Sequence, residues 1–268
     1  MNKPKLLFVY DHKYPEYWMD GLWAALNLLK EDFTLTMLNL QDTVVEWDTW
    51  EKEWDFILGW GAFGSPVDQE MQKIKNKKGL CIAGNATLPT GADNYDVLFY
   101  ETKWYRPQIN FHKNIVHAFG VNTDIFFKPN ITMPIIWDYI GVGAFASWKR
   151  WDKMLQKKGN RLVVGEVQED NQSESLDLVA RLINGGVMTA NMVRPFDLSN
   201  FYNWSRTLYM PSNIYGGGER AVLEARACGL DVEIEDDNPK LKELLEVDPI
   251  PDQYHYAKKL KEGILSVL

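Results

Sequence analysis

Short apolar runs alternate with amphipathic stretches along most of this chain. In the first half, Lys5–Tyr10, Phe33–Leu40, Trp54–Trp60, Gly79–Ala83, Val97–Tyr100 and Ile115–Phe119 read as strands. Between the first two, Tyr17 to Lys30 sets Trp18, Leu22, Ala25, Leu26 and Leu29 three and four residues apart, the spacing of one helix face. Asp68–Lys77 predicts a second helix. The stretch from Pro129 to Pro134 cannot be helical throughout, because proline lacks a donor and restricts the residue before it, and it reads as a linker. The same alternation then restarts, with strands expected at Tyr139–Gly143, Arg161–Gly165, Val187–Asn191, Thr207–Met210 and Asp231–Ile234. A closing helix from Asp252 to about Val267 carries Tyr256, Leu260, Ile264 and Leu265 as an apolar stripe. Strands interleaved with helices predict parallel sheets. The expected organisation is two Rossmann-like α/β domains, residues 1–130 and 131–250, with residues 251–268 as a helix packing back on the first.

Composition narrows the class. With 268 residues, 46% apolar and 25% charged, the chain can bury a proper core, which excludes disordered and collagen-like readings. Its 29 basic and 37 acidic residues leave a net charge of −8, which argues against a protein-wide attraction for nucleic acid or anionic lipid. The apolar run Leu6–Tyr10 is too short for a signal peptide, and no run reaches the roughly 20 apolar residues that cross a bilayer. Cys81 and Cys228, far apart in apolar surroundings, make neither a disulfide framework nor a metal-ligand pattern, so a reducing, cytoplasmic setting is expected. His112, His117 and His255 have no partners at ligand spacing, and no metal site is expected.

The segment most informative for chemistry is Pro211-Ser-Asn-Ile-Tyr-Gly-Gly-Gly-Glu-Arg-Ala-Val-Leu-Glu-Ala-Arg-Ala-Cys-Gly-Leu-Asp-Val232. Gly216, Gly217 and Gly218 let backbone approach a ligand, and the N–H groups of the helix that follows can face a phosphate. The alternative is a glycine turn, an acid at a positive helix end and an exposed Arg220–Glu224 pair four residues apart. After the first strand, Asp11, His12 and Tyr14 stand where α/β sheets place ligands, with His12 suited to acceptor binding or proton transfer. Trp60 and Phe63, on a glycine-rich loop, can stack on a sugar or form a buried aromatic pair. The turn Gly141-x-Gly143-x-x-Ala146, with Glu166 after the next strand, is a loose dinucleotide fingerprint and keeps an NAD(P)-dependent oxidoreductase open.

The Leu223-Glu-Ala-Arg-Ala-Cys-Gly-Leu-Asp-Val232 run resembles the nucleotide-sugar signature of GT-B glycosyltransferases, most closely the family 4-like group. Val116–Pro129 is similar to the element that ends that family's first domain, and Ile140–Arg150 to its donor-domain strand and loop. Two of the family's usual residues differ: Gly216 stands at the position of a glutamate and Ala144 at that of an arginine. The resemblance implies two Rossmann-like domains facing a central cleft and a retaining, metal-independent transferase that takes a UDP- or GDP-sugar and needs no cofactor. It implies that Lys149 and Arg150 meet the donor diphosphate, that Gly143, Gly216, Gly217, Gly218 and Arg194 line the donor site, and that Glu224 holds the ribose. Either Glu219 compensates for the missing acid or the donor sugar is held differently. Acceptor contacts then fall to Asp11, Tyr14, Trp60 and His12. The acceptor is open among glycans, lipids, metabolites and a modified nucleobase, the last disfavoured by the acidic charge. A non-catalytic nucleotide-sugar-binding module is the further alternative.

Overall fold

The structure is a computed structural model that describes residues 3–18, 20–42, 46–47, 51–83 and 88–268. Its chain divides into two compact units, one of residues up to Gly120 together with Pro251–Leu268, the other Val121–Ile250.

In the first unit, β1 (Lys5–Tyr10), β2 (Thr34–Asn39), β3 (Phe56–Gly61), β4 (Lys78–Ile82), β5 (Val97–Tyr100) and β6 (Ile115–His117) form a parallel sheet in the order β2-β1-β3-β4-β5-β6. In register, Leu6 lies opposite both Leu35 and Phe56. Leu6–Val9 and Phe56–Leu58 are fully buried, which is why these strands read as continuous apolar runs rather than alternating ones. The strand order reverses between β1 and β3, so the ends at Tyr10 and Gly61 flank the crevice where open sheets bind ligands.

The helix expected over Tyr17–Lys30 is present in the described stretches on either side of Met19, α1 (Pro15–Trp18) and α2 (Asp20–Leu29). Met19 and the side chain of Trp18 lie outside the described residues. The helix expected over Asp68–Lys77 is shorter, α3 (Pro66–Met71), capped at its start by Ser65 Oγ. Past its end the buried Lys78 ammonium donates to the Met71 and Ile74 carbonyl oxygens at 2.9 and 2.6 Å, satisfying groups a longer helix would have bonded itself. A further turn, α4 (Arg106–Ile109), precedes β6. The closing helix runs Gln253–Leu265, with Asp252 accepting from the His255 N–H as its cap. It packs on α2 and buries Tyr256, Leu260 and Ile264. Leu265 is exposed, since one step along a helix turns it about 100° from Ile264.

In the second unit, β7 (Trp137–Val142), β8 (Arg161–Gly165), β9 (Met188–Asn191), β10 (Ser205–Met210) and β11 (Asp231–Ile234) form a parallel sheet in the order β11-β10-β7-β8-β9. Ile140 lies opposite Leu162 and Leu208. The helices are α5 (Gln172–Asn184), α6 (Pro195–Asn203), α7 (Glu219–Ala227) and α8 (Pro239–Glu246). Phe126 packs on Tyr202 of α6, and Ser199 donates to the Ile125 carbonyl at 2.7 Å, which fixes the unit's first residues to that helix.

The connection from β7 to β8 departs from expectation. In place of the α-helix that interleaved strands and helices predict, it makes two 3₁₀ turns, Ser147–Lys149 and Trp151–Gln156, hinged at Arg150, whose φ of 54° is left-handed. Trp151 explains the detour. Its fully buried ring lies so close to Gly141 that a Cβ there would sit 2.6 Å from it, and its indole N–H donates to the Ala144 carbonyl at 2.9 Å. Strand order reverses between β7 and β10, so the segments after Val142 and after Met210 share the second unit's crevice.

Candidate donor and acceptor sites

At the β7/β10 crevice the two segments singled out by sequence come together. The Lys149 side chain crosses from the β7 loop, and its ammonium donates to the Gly217 carbonyl oxygen at 2.8 Å. Ser212 Oγ donates to the same oxygen at 2.9 Å. Gly143, with φ of 142°, makes room for the crossing: a Cβ there would lie 3.1 Å from Lys149 Cε and Nζ. Gly218 has φ of 136°, and a Cβ on it would press on the Met210 side chain at 2.9 Å. Beyond Gly218, α7 starts with no side-chain cap, and the first N–H bonded within it is that of Val222, to the Gly218 carbonyl. The amides of its first turn therefore precede the helix's own hydrogen-bond ladder. Such an end attracts an anion.

Buried charge surrounds the turn. Glu219 pairs with Lys240 of α8 at 2.8 Å, both enclosed. Arg220 Nε meets Glu224 at 2.9 Å, and Tyr202 donates to the same carboxylate at 3.2 Å. Lys149 is only 8% exposed. Burial, partly offset by Glu219 and reinforced by Lys240 and Arg220, pulls its ammonium down to about 8. Lys149, Lys240 and Arg220 against Glu219 and Glu224 leave one surplus positive charge. A desolvated cluster of that balance favours an incoming anion.

Three residues singled out in the sequence have their own partners or places in this structure. Glu224, expected at the ribose, is 1% exposed and engaged by Arg220 and Tyr202; it holds Arg220 beside the turn. Burial raises its carboxyl above the usual range, Arg220 opposing. Arg150, expected at the diphosphate, instead makes a two-toothed pair with Asp237 at 2.6 and 2.7 Å and donates from Nε to the Pro211 carbonyl at 2.6 Å. The acidic run Glu233–Asn238 supplies the Asp237 carboxylate. Arg194 stands exposed before α6, at the far strand β9, with β8 between it and β7, and is not brought to the cluster. Lys240 and Tyr202 were missed because nothing in their local sequence marks them; α8 and α6 carry them to the turn.

The dinucleotide turn loses its footing. Gly141 lies within β7, Ala146 is buried, and no α-helix starts between β7 and β8 to receive a pyrophosphate. Glu166 follows β8 half-buried, its carboxyl raised by burial.

At the β1/β3 crevice of the first unit, His12 and Trp60 lie together, their ring centroids 5.2 Å apart. Trp60 is half-buried in β3, whereas Phe63 is core and meets Tyr95 edge-on. Tyr14 is 44% exposed, with the Lys13 ammonium 5.5 Å from its ring centre, and Asp11 is half-buried beside it. Among the described residues no group of three His, Cys, Asp or Glu side chains gathers as a metal site, and no helix is long and apolar enough to cross a membrane.

No family model and no curated protein matches the chain in sequence. Solved structures do match its backbone. Sucrose-phosphate synthase from Thermosynechococcus elongatus matches with a TM-score of 0.64 at 12% identity, over 98% of this chain and 90% of that one. HepE of Anabaena, solved with UDP and glucose, matches at 0.64 and 11%, over 97% and 90%. A glycosyltransferase involved in avilamycin A biosynthesis matches at 0.62 and 12%, over 98% of each. The fold is that of the GT-B glycosyltransferases. At such identities the likeness is one of backbone, and the chemistry rests on the residues above.

Proposed function

We propose that this protein is a glycosyltransferase that takes a UDP- or GDP-sugar, binds its diphosphate between the Lys149 ammonium and the N-terminal turn of α7, and transfers the sugar with retention. The observation that carries the reading is the buried Lys149 ammonium crossing to the Gly217 carbonyl at the start of an uncapped helix. As the bond from the anomeric carbon to the diphosphate oxygen breaks, its electrons stay on the diphosphate, and charge there rises. Lys149 and the amide dipoles meet that charge from fixed positions, so little reorganisation accompanies it. Ser212 and Gly143 hold the lysine's path; Glu219 and Glu224 keep Lys240 and Arg220 beside the turn. The acceptor is assigned to the β1/β3 crevice, with Trp60 as a stacking face and His12, Asp11 and Tyr14 as polar contacts.

The test is release of nucleoside diphosphate from a panel of UDP- and GDP-sugars, where slow transfer to water reports turnover before any acceptor is known. Release from one donor class is expected. Binding without release would instead favour a nucleotide-sugar-binding module, a reading supported by the ion pairs that engage both Glu219 and Glu224.

A further inference from the structure

Three basic residues of the β7–β8 connection face three acidic residues at the end of β11. Arg150 pairs with Asp237, Lys153 Nζ with Glu235 at 2.6 Å, and Lys157 with Glu233. The match follows from chain geometry. Steps of three and four residues along a 3₁₀ segment advance about 6 to 8 Å, and the step of two from Glu233 off the strand end about 6.6 Å, after which the chain turns at Asp236 and Asp237. Basic positions 150, 153 and 157 therefore run in step with acidic positions 237, 235 and 233, in opposite chain directions. Tyr209 of β10 closes the row, donating to Glu235 at 2.5 Å and lying under the Lys157 ammonium, 4.0 Å from its ring centre.

Two features set this row apart from ordinary surface pairs, which contribute little. The Arg150–Asp237 pair is bidentate, and the same guanidinium bonds the Pro211 carbonyl, so one side chain ties together the ends of β7, β10 and β11. Arg150 also directly follows Lys149 and holds a left-handed conformation that a non-glycine residue adopts at a cost, so something must hold it there.

We propose that this row is a clasp, and that Arg150 and Asp237 are positioning residues that fix Lys149 against the Gly216–Gly218 turn without touching the donor. The inference rests on the donor-site reading, and it reverses the role that the family resemblance implies for Arg150.

The test uses the full chain in four forms: wild type, Asp237→Asn, Arg150→Gln and the exchange Arg150→Asp with Asp237→Arg. Aspartate is among the residues that tolerate a left-handed backbone, so the exchange adds no strain at position 150. Calorimetric affinities for UDP, GDP and ADP are measured in turn, with hydrogen exchange of the 147–157 amides and the melting temperature alongside. Asp237 is more than half exposed, so a merely structural role would move melting slightly and affinity not at all. The clasp predicts that each single variant weakens the nucleotide that wild type binds by about tenfold, the worth of one charge-assisted hydrogen bond. It also predicts faster exchange at 147–157 in both, and partial recovery of both quantities in the exchanged pair, which restores the Arg–Asp pair but not the bond to the Pro211 carbonyl.

Affinity of Asp237→Asn within twofold of wild type, or no recovery in the exchanged pair, overturns the clasp and returns Arg150 to the diphosphate. If wild type binds none of the three nucleotides, the donor-site reading falls by itself. The clasp is then decided by exchange alone: protection lost in the singles and partly restored in the pair supports it, and unchanged protection overturns it.

Discussion

The Lys149 ammonium donates to the carbonyl oxygen of Gly217, 68 residues away in sequence, at 2.8 Å. Glu219, whose charge partly offsets the burial of this cation, is already paired with Lys240, and a diphosphate supplies a further counter-charge. Lys149→Ala is therefore expected to lower turnover by about two orders of magnitude, the usual worth of a preorganised charge at a leaving group. Donor-hydrolysis kinetics on the folded variant check this, and unchanged turnover removes Lys149 from the mechanism.

The same lysine gives the protein a pH signature. Its folded value near 8 lies below its ordinary 10.5, so between these pH values the folded chain holds fewer protons than the unfolded one. Stability conferred at this site then rises with pH across that window, on the order of 3 kcal/mol in all. Urea midpoints of wild type and Lys149→Met from pH 7 to 10.5 isolate the effect, because other groups titrate alike in both. Parallel curves would show that the ammonium is solvated.

Glu219 and Lys240 form an enclosed pair, and removing one partner strands the other. Glu219→Leu or Lys240→Met is expected to cost about 3–5 kcal/mol, while the double substitution recovers much of it. A double-mutant cycle in urea measures the coupling. Additive losses would mean that the two charges are independently solvated.

Gly143→Ala places a methyl 3.1 Å from Lys149 Cε and Nζ on a backbone at φ of 142°. Strain of about 1–3 kcal/mol is expected, with nucleotide affinity falling as the lysine is displaced. Gly64→Ala is the control, also at positive φ but with nothing within 4 Å of its Cβ. It should share the strain and leave affinity alone; equal affinity losses in both would tie the effect to general destabilisation.

Much of this molecule was legible in one dimension, for identifiable reasons. Every expected strand formed within two residues of its predicted ends, and the central ones were plainest, because strands buried on both faces are continuous apolar runs. The Gly216–Gly218 turn and Lys149 were legible because glycine spacing and a lysine after a strand are local signals. The partners of Arg150 were not. Asp237 lies 87 residues away, and an acidic run looks the same whether it meets water or a row of cations. Nor could sequence show that Glu224 is enclosed, since Tyr202 arrives from another helix. The β7–β8 connection misled for a third reason: its composition allows a helix, and Trp151 packing on Gly141 overrides it.

Binding of a nucleoside diphosphate at Lys149 is measured by calorimetric titration of wild type and Lys149→Met with UDP and GDP. At pH 8.5 in two buffers of different ionisation enthalpy, wild type should bind one of them and take up a fraction of a proton, because the bound anion restores the lysine's charge. The methionine variant should bind at least tenfold more weakly and take up none. Equal affinity in both proteins, or no proton uptake by wild type, would contradict the account.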